Sequence, residues 1–226
     1  MTDHSISRRN FLKAGCFTAA AAGLTVCGAS AIMPLPEETA IELPSFSYGE
    51  KRMGTRILVA YSSALGSTAE VAAEIGKTLA VNGVAVDVVP MIDEPRLDDY
   101  QAVLIGSAVH HGHWLPEAVA FVHSGREALN RVPVGLFTVH ISNQGDDVES
   151  RDKRLAYLDE VRPLLEAVDE VFFAGKFDRR GAALLMPGWL ARLVPTLDMR
   201  KWERIRAWAE SVRPKLLARS TTNHLF

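Results

Sequence analysis

Cysteine is almost missing from this sequence: the chain has two, Cys16 and Cys27, and none beyond position 27. A domain built from the rest therefore has no disulfide, no iron–sulfur ligation, no dithiol motif and no thioether-linked haem. Redox chemistry there has to come from a cofactor that needs no thiol. An excess of charge of one sign is also lacking, since 25 Lys and Arg against 27 Asp and Glu leave a net charge of -2. No basic cluster stands beside aromatic residues, so nothing points to nucleic acid. There are no internal repeats and, past the first residues, no low-complexity tracts. What is present is an ordinary globular composition: 226 residues, 48% hydrophobic and 23% charged, enough for one domain with a substantial core.

The most informative stretch is Arg56–Lys77. An apolar strand, Ile57–Tyr61, runs into a loop of small and hydroxyl residues. The loop runs into a helix on which Val71, Ile75 and Leu79 recur on one face. Ser67 and Glu70 have capping-box spacing, and Gly83 after Asn82 marks a stop. Such a turn, delivered onto a helix N-terminus, holds a phosphate without a cation. The unpaired first-turn N–H groups point at the ligand, and the helix dipole favours negative charge there. Ser63 and Thr68 can add hydroxyl donors, and Gly66 permits close backbone approach. The loop is neither a Walker A sequence nor GxGxxG. The plain alternative is a strand–turn–helix corner with no ligand.

Apolar runs and helical periods alternate downstream. Strands are expected at Ile57–Tyr61, Ala85–Val89, Ala102–Ala108, Val134–His140 and Glu170–Ala174. Helices are expected at Thr68–Asn82, Pro116–Ser124, Ser150–Ala167 and Met199–Leu217. Continuous apolar strands imply a sheet covered on both faces. Their alternation with helices implies βαβ units, a parallel sheet, and a ligand beyond the carboxyl ends of the strands. His110, His111 and His113, with His140 further along, gather imidazoles. No carboxylate or Cys at ligand spacing accompanies them, so no metal is expected.

Tyr61, Ser62, Ser63, Ala64, Leu65, Gly66, Ser67 and Thr68 resemble the FMN-phosphate loop of flavodoxins, filling its aromatic, small, Ser/Thr, variable, variable, Gly, polar, Thr form in order. Asp99–Ser107 resembles the Y-D-x-V-I-x-G-S third strand of the same proteins. The resemblance implies an α/β, flavodoxin-like, doubly wound five-stranded parallel sheet of order 2-1-3-4-5, binding FMN without a covalent link. It places Ser62 to Thr68 around the phosphate. Ser107, Ala108, Val109, His110, His111, Gly112, His113 and Trp114 would run along one side of the flavin ring. His140, Ile141, Ser142, Asn143 and Gly145 would run along the other, where donors stabilise negative charge on the reduced ring.

The Gly106–Trp114 run is similar to the G-A-S-I-x-x-G-H-Y segment of the flavodoxin-like, menaquinone-dependent protoporphyrinogen oxidases. Phe173-Ala174-Gly175 and a final helix opening near Asp198, with Trp202 inward, fit as well. Ala182–Val194 occupies the place of that family's amphipathic insertion. What this implies is an FMN-dependent oxidoreductase working between an organic donor and a quinone, with His113 as the catalytic candidate. Trp114 would either cover the flavin or pack in the core. Ala182–Val194 would either lie over the last helix or meet a quinone or membrane surface. An electron carrier without its own substrate site, or a module that no longer binds flavin, are the alternatives. Trp202, Ile205, Trp208 and Val212 are at helical spacing and read as core.

Ser7-Arg8-Arg9-Asn10-Phe11-Leu12-Lys13 resembles the twin-arginine export signal. An Ala-rich apolar run to Cys27 and an A-x-A cleavage site at Ala29–Ala31 follow. Residues 1–31 are thus expected to be a signal peptide read by the twin-arginine translocase, leading to the periplasm or the outer face of the cytoplasmic membrane. That route carries folded proteins, which suits a flavin acquired before export. Residues 32–54, with Pro34, Pro36 and Pro44, read as a linker, 55–218 as the domain and 219–226 as a tail. Replacing Arg8 and Arg9 by Lys should stop export, checked by fractionating periplasm from cytoplasm; undiminished periplasmic protein would reject the signal.

Overall fold

In a computed structural model of the chain, the described residues are 43–50, 54–183 and 186–218. The expected signal peptide, the first part of the linker and the tail lie outside them. The organising element is β2 (Arg56–Ser62), whose residues Ile57 to Tyr61 have no solvent exposure. A strand that apolar at every position must be covered on both faces, and it is. β3 (Ala85–Pro90) pairs with it on one side and β4 (Ala102–His110) on the other, both parallel. β6 (Val134–His140) and β7 (Ala167–Ala174) continue the parallel sheet beyond β4. The five long strands therefore stand in the order 2-1-3-4-5, and the fold is a flavodoxin-like α/β sandwich.

One face of the sheet packs against α1 (Ser67–Leu79) and α6 (Trp202–Ala218). Ile57, Val59 and Tyr61 meet Val71, Ile75, Ile205 and Val212 there. Trp208 closes this layer, its ring 5.7 Å from that of Phe173 and 6.3 Å from that of Phe137. The other face carries α2 (Pro116–Leu129), with Leu58, Ala60 and Ile105 against Ala118, Val122 and Leu129.

Four features depart from the sequence reading. β1 (Phe46–Tyr48) adds an antiparallel strand to the β3 edge, so the segment read as linker contributes to the sheet. The loop after β4 is a hairpin. β5 (His113–Trp114) turns back on β4 through His111 and Gly112, at φ 51° and 84°, the left-handed pair of a tight two-residue turn. The helix expected over Ser150–Ala167 is only α3 (Val148–Ala156). Leu158, Val161 and Leu165 leave the helical path to bury under α2, and Pro163 has no N–H with which to continue a helix. The capping box is also not formed. Gly66, at φ 91°, is the N-cap of α1, which has no side-chain cap, and Glu70 points elsewhere.

Beyond β7, a small antiparallel ribbon of β8 (Lys176–Phe177) and β9 (Leu197–Asp198) brackets the insertion. The insertion carries two short helices, α4 (Arg179–Ala183) and α5 (Gly188–Ala191).

Gly106, in the middle of β4, faces the ring of Phe137, and an added Cβ would fall 1.9 Å from it. Both residues are buried, so the ring has no free space to enter. Gly106→Ala should lower the unfolding free energy by about 2 kcal/mol through overpacking, measured by urea denaturation; an unchanged midpoint would mean that the core yields at this point.

Candidate functional site

Strand register brings three loops to one edge. Ser62 of β2 stands opposite Ser107 of β4, Ala108 stands opposite Val139 of β6, and His140 stands opposite Ala174 of β7. The chain direction across the sheet reverses at β2, so the loops after β2, β4 and β6 surround a switch point.

The first loop is built for an anion. Ser63 Oγ accepts a hydrogen bond from the Gly66 N–H at 3.0 Å, folding the loop and leaving the hydroxyl proton of Ser63 free to be donated. Thr68 is fully buried, yet its Oγ1 has no hydrogen-bond partner. An unsatisfied buried hydroxyl costs about 1–3 kcal/mol. With no side chain capping α1, the first-turn N–H groups beside it are likewise left for a ligand. Ser62 is buried, Ala64 is exposed, and Leu65, Gly66 and Ser67 are half-buried. A Cβ placed on Gly66 would meet nothing within 4 Å, so the approach to the loop is open there. These donors suit a phosphate: one hydroxyl waiting, a second available, and the positive end of a helix.

An arginine that the sequence reading passed over stands behind the loop. The Arg200 side chain is only 3% exposed and bonds Glu70 at 2.8 Å and Asp198 at 2.6 Å. Its guanidinium lies 4.5 Å from the centre of the Trp202 ring. The hydrogen bonds from Arg200 hold the Asp198 carboxyl down at about 2. No local motif announces Arg200, because Glu70 is 130 positions away in the chain.

The second loop divides its residues between core and surface. Ser107 is buried, and its Oγ is engaged by the Leu115 N–H at 3.1 Å and the Ala108 carbonyl at 2.8 Å. Trp114 is a core side chain and not a cover for a ligand, since it is buried and its Nε1 donates to Thr138 Oγ1 at 2.9 Å. His110, His111, Gly112 and His113 form the exposed tip, with Ala108 and Val109 half-buried behind it. His113 Nδ1 lies 3.0 Å from Glu160 Oε1.

The third loop is tied down from behind. His140 is buried against Tyr157 and Phe172. Its Nδ1 is 2.6 Å from the Ser142 carbonyl, which fixes the ring proton on that nitrogen. The Asn143 amide donates to the Tyr157 hydroxyl at 2.6 Å, and Arg154 binds the carbonyls of Asn143 and Gly145. His140 and the Asn143 side chain therefore shape this loop, while Ile141, Ser142, Gln144 and Gly145 are exposed. Among the described residues, no group of three or more His, Cys, Asp or Glu side chains is arranged to hold a metal.

The topology and the phosphate-type loop define a flavodoxin-class redox domain. Residues 58–184, more than half of the chain, match the flavodoxin domain family, and the chain belongs to it. Protoporphyrinogen IX dehydrogenase (quinone) of Escherichia coli K12 is 30% identical over 88 residues, covering 38% of this chain and 49% of that protein. The protein of the same name from strain O157:H7 matches to the same degree. The chain thus spans about half the length of the curated relatives it matches. Among solved structures, a flavodoxin from the domain Archaea has a TM-score of 0.46 at 16% identity, covering 72% of this chain and 99% of its own. Rubredoxin oxygen:oxidoreductase of Desulfovibrio gigas has a TM-score of 0.44 at 16% identity, covering 73% and 36%.

Burial lowers the pKa of His140 below 6.5, only partly opposed by its bond to Ser142. The folded state thus keeps the ring neutral where the unfolded chain takes up a proton. The resulting stability is full above about pH 6.5 and is lost as pH falls toward the folded pKa. Thermal midpoints measured between about pH 7.5 and about pH 5 should fall less steeply in His140→Gln than in the wild type; identical slopes would mean that the ring titrates as in water.

Proposed function

We propose that the domain binds FMN non-covalently and acts as an oxidoreductase moving electrons between an organic donor and a quinone. The observation that carries the cofactor is the Thr68 hydroxyl, buried without a partner at the uncapped N-terminus of α1. The redox class follows from the family, and the donor–quinone pairing is supported by the name of the Escherichia coli relatives. When bound, FMN would supply hydride or single-electron transfer. Thr68, Ser63 and the first-turn N–H groups would hold its phosphate. Ser62, Ala64, Leu65, Gly66 and Ser67 would form the wall of the loop.

The exposed tip His110–His113 and the exposed pair Ile141–Ser142 would flank the ring, with backbone donors of the third loop on its polar edge. His113 is the catalytic candidate. With Nδ1 against Glu160, Nε2 is the atom that can exchange a proton with a substrate. Ser107, Trp114, His140 and Asn143 would act by fixing these loops. The second reading is a carrier with no substrate site of its own, favoured by how exposed the hairpin tip is.

Two further proposals concern location. Residues 1–31 would direct the protein through the twin-arginine translocase to the periplasm or the outer face of the cytoplasmic membrane. The insertion would touch a membrane surface. Trp189 and Leu193 are 70% and 73% exposed, so they do not lie over the last helix, and Arg179, Arg180 and Arg192 accompany them.

The test begins with protein purified after export, from which bound flavin is released and identified by mass. Thr68→Asp sets a carboxylate against the phosphate and should abolish FMN binding. A colourless wild-type protein that takes up no FMN would reject the proposal. Quinone reduction that disappears when residues 182–194 are deleted, with FMN still bound, separates the enzyme from the carrier.

A further inference from the structure

The N-terminus of α1 carries a conflict of charge. Glu70 sits in its first turn and lines the same cleft as Leu65 and Gly66. An isolated carboxylate there would favour the helix dipole and repel a second anion arriving at the same N–H groups. It would also be free to reach back and occupy donors in a capping box. The carboxylate does not cap the helix, and Arg200 takes it instead at 2.8 Å. The same guanidinium makes two bonds to Asp198, from Nε at 2.8 Å and from Nη2 at 2.6 Å. The planar group is held by these bonds and by Trp202, and its burial leaves it no alternative solvent-exposed position.

We propose that Arg200 is the specificity-determining residue for the phosphate of the ligand: by pairing with Glu70 it offsets the charge in the first turn and keeps the helix terminus open to an anion. This rests on the reading of the loop as an FMN site and deepens it. Arg200 touches neither the loop donors nor the place of the ring, so it is a positioning residue. Its effect is electrostatic and concerns the charged end of the ligand alone. Lys176, Arg179 and Arg180 line the same cleft from the insertion side and have no ion pair among the described residues. Asp178 lines the cleft as well, so these three cations outnumber the one carboxylate left there once Glu70 is paired with Arg200, and the approach to the loop stays positive.

The experiment compares FMN with riboflavin, which lacks the phosphate, by fluorescence titration of the full chain. Arg200→Gln should weaken FMN binding roughly ten-fold, the scale of a partly screened carboxylate–phosphate repulsion at close range, and leave riboflavin unchanged. Adding Glu70→Gln to that variant should recover most of the FMN affinity, since the uncompensated charge in the first turn is then gone and only Asp198, on the ribbon, keeps its own. Glu70→Gln alone should tighten FMN several-fold and leave riboflavin as it was, a readout that holds even if Arg200→Gln folds poorly. Equal loss of both flavins without rescue by Glu70→Gln, or an FMN-to-riboflavin ratio unchanged in every variant, would overturn the assignment. A wild-type protein that binds riboflavin and FMN equally, or neither, would instead reject the phosphate loop itself.

Discussion

Everything in this domain depends on the burial of β2 from both sides. Its five central residues have no contact with solvent, so helices must lie above and below the sheet. Parallel neighbours on both edges follow, because each strand has to be reached by a crossover that also supplies a covering helix. That arrangement puts the turns after β2, β4 and β6 at a single edge of the sheet. The site is a consequence of the core, and the register pairs Ser62 with Ser107 and Ala108 with Val139 set its width.

Around that edge the structure manages charge by burial. Arg200 pairs with both Glu70 and Asp198, and Asp198 remains ionised far into acid as a result. His140 takes the opposite course. Its ring is buried and kept neutral, so it can brace the third loop without adding a cation to it. At the other end of the sheet, Asp87 is held ionised by hydrogen bonds from Ser47, Arg56 and Tyr100, despite its burial. This ties the added strand β1 to the β2–β3 pair. Charged and polar groups thus lock the periphery of a sheet whose central strand, β2, is buried and free of charge from Ile57 to Tyr61.

Legibility followed the range of the interactions. The phosphate-type loop could be read because all its parts lie within one strand–turn–helix unit, where residue type and spacing determine the donors. Val134–His140 was read to the residue, being a mainly apolar run between a proline and a polar turn. The shortened α3 was not legible, since Leu158, Val161 and Leu165 satisfy a helical period but are drawn toward the core beneath α2. β1 has only three residues and acquires its meaning from the free edge of β3. The capping box illustrates the same limit: the spacing of Ser67 and Glu70 is right, but a distant arginine competes for the carboxylate and wins.

Local sequence was sufficient for the alternation of strands and helices, the helix that follows β2 and the hydroxyl and glycine composition of the loop, because these depend on periodicity and on backbone groups a few residues apart; the strand order came with the family resemblance. The division of labour among the site residues was decided only in three dimensions. Trp114 became core because Thr138 offered its indole a partner across the sheet, and His140 became a brace because Tyr157 and Phe172 closed over it. The Thr68 hydroxyl stayed buried and unpaired, a state that no stretch of sequence can display, since being without a partner is a property of everything packed around it.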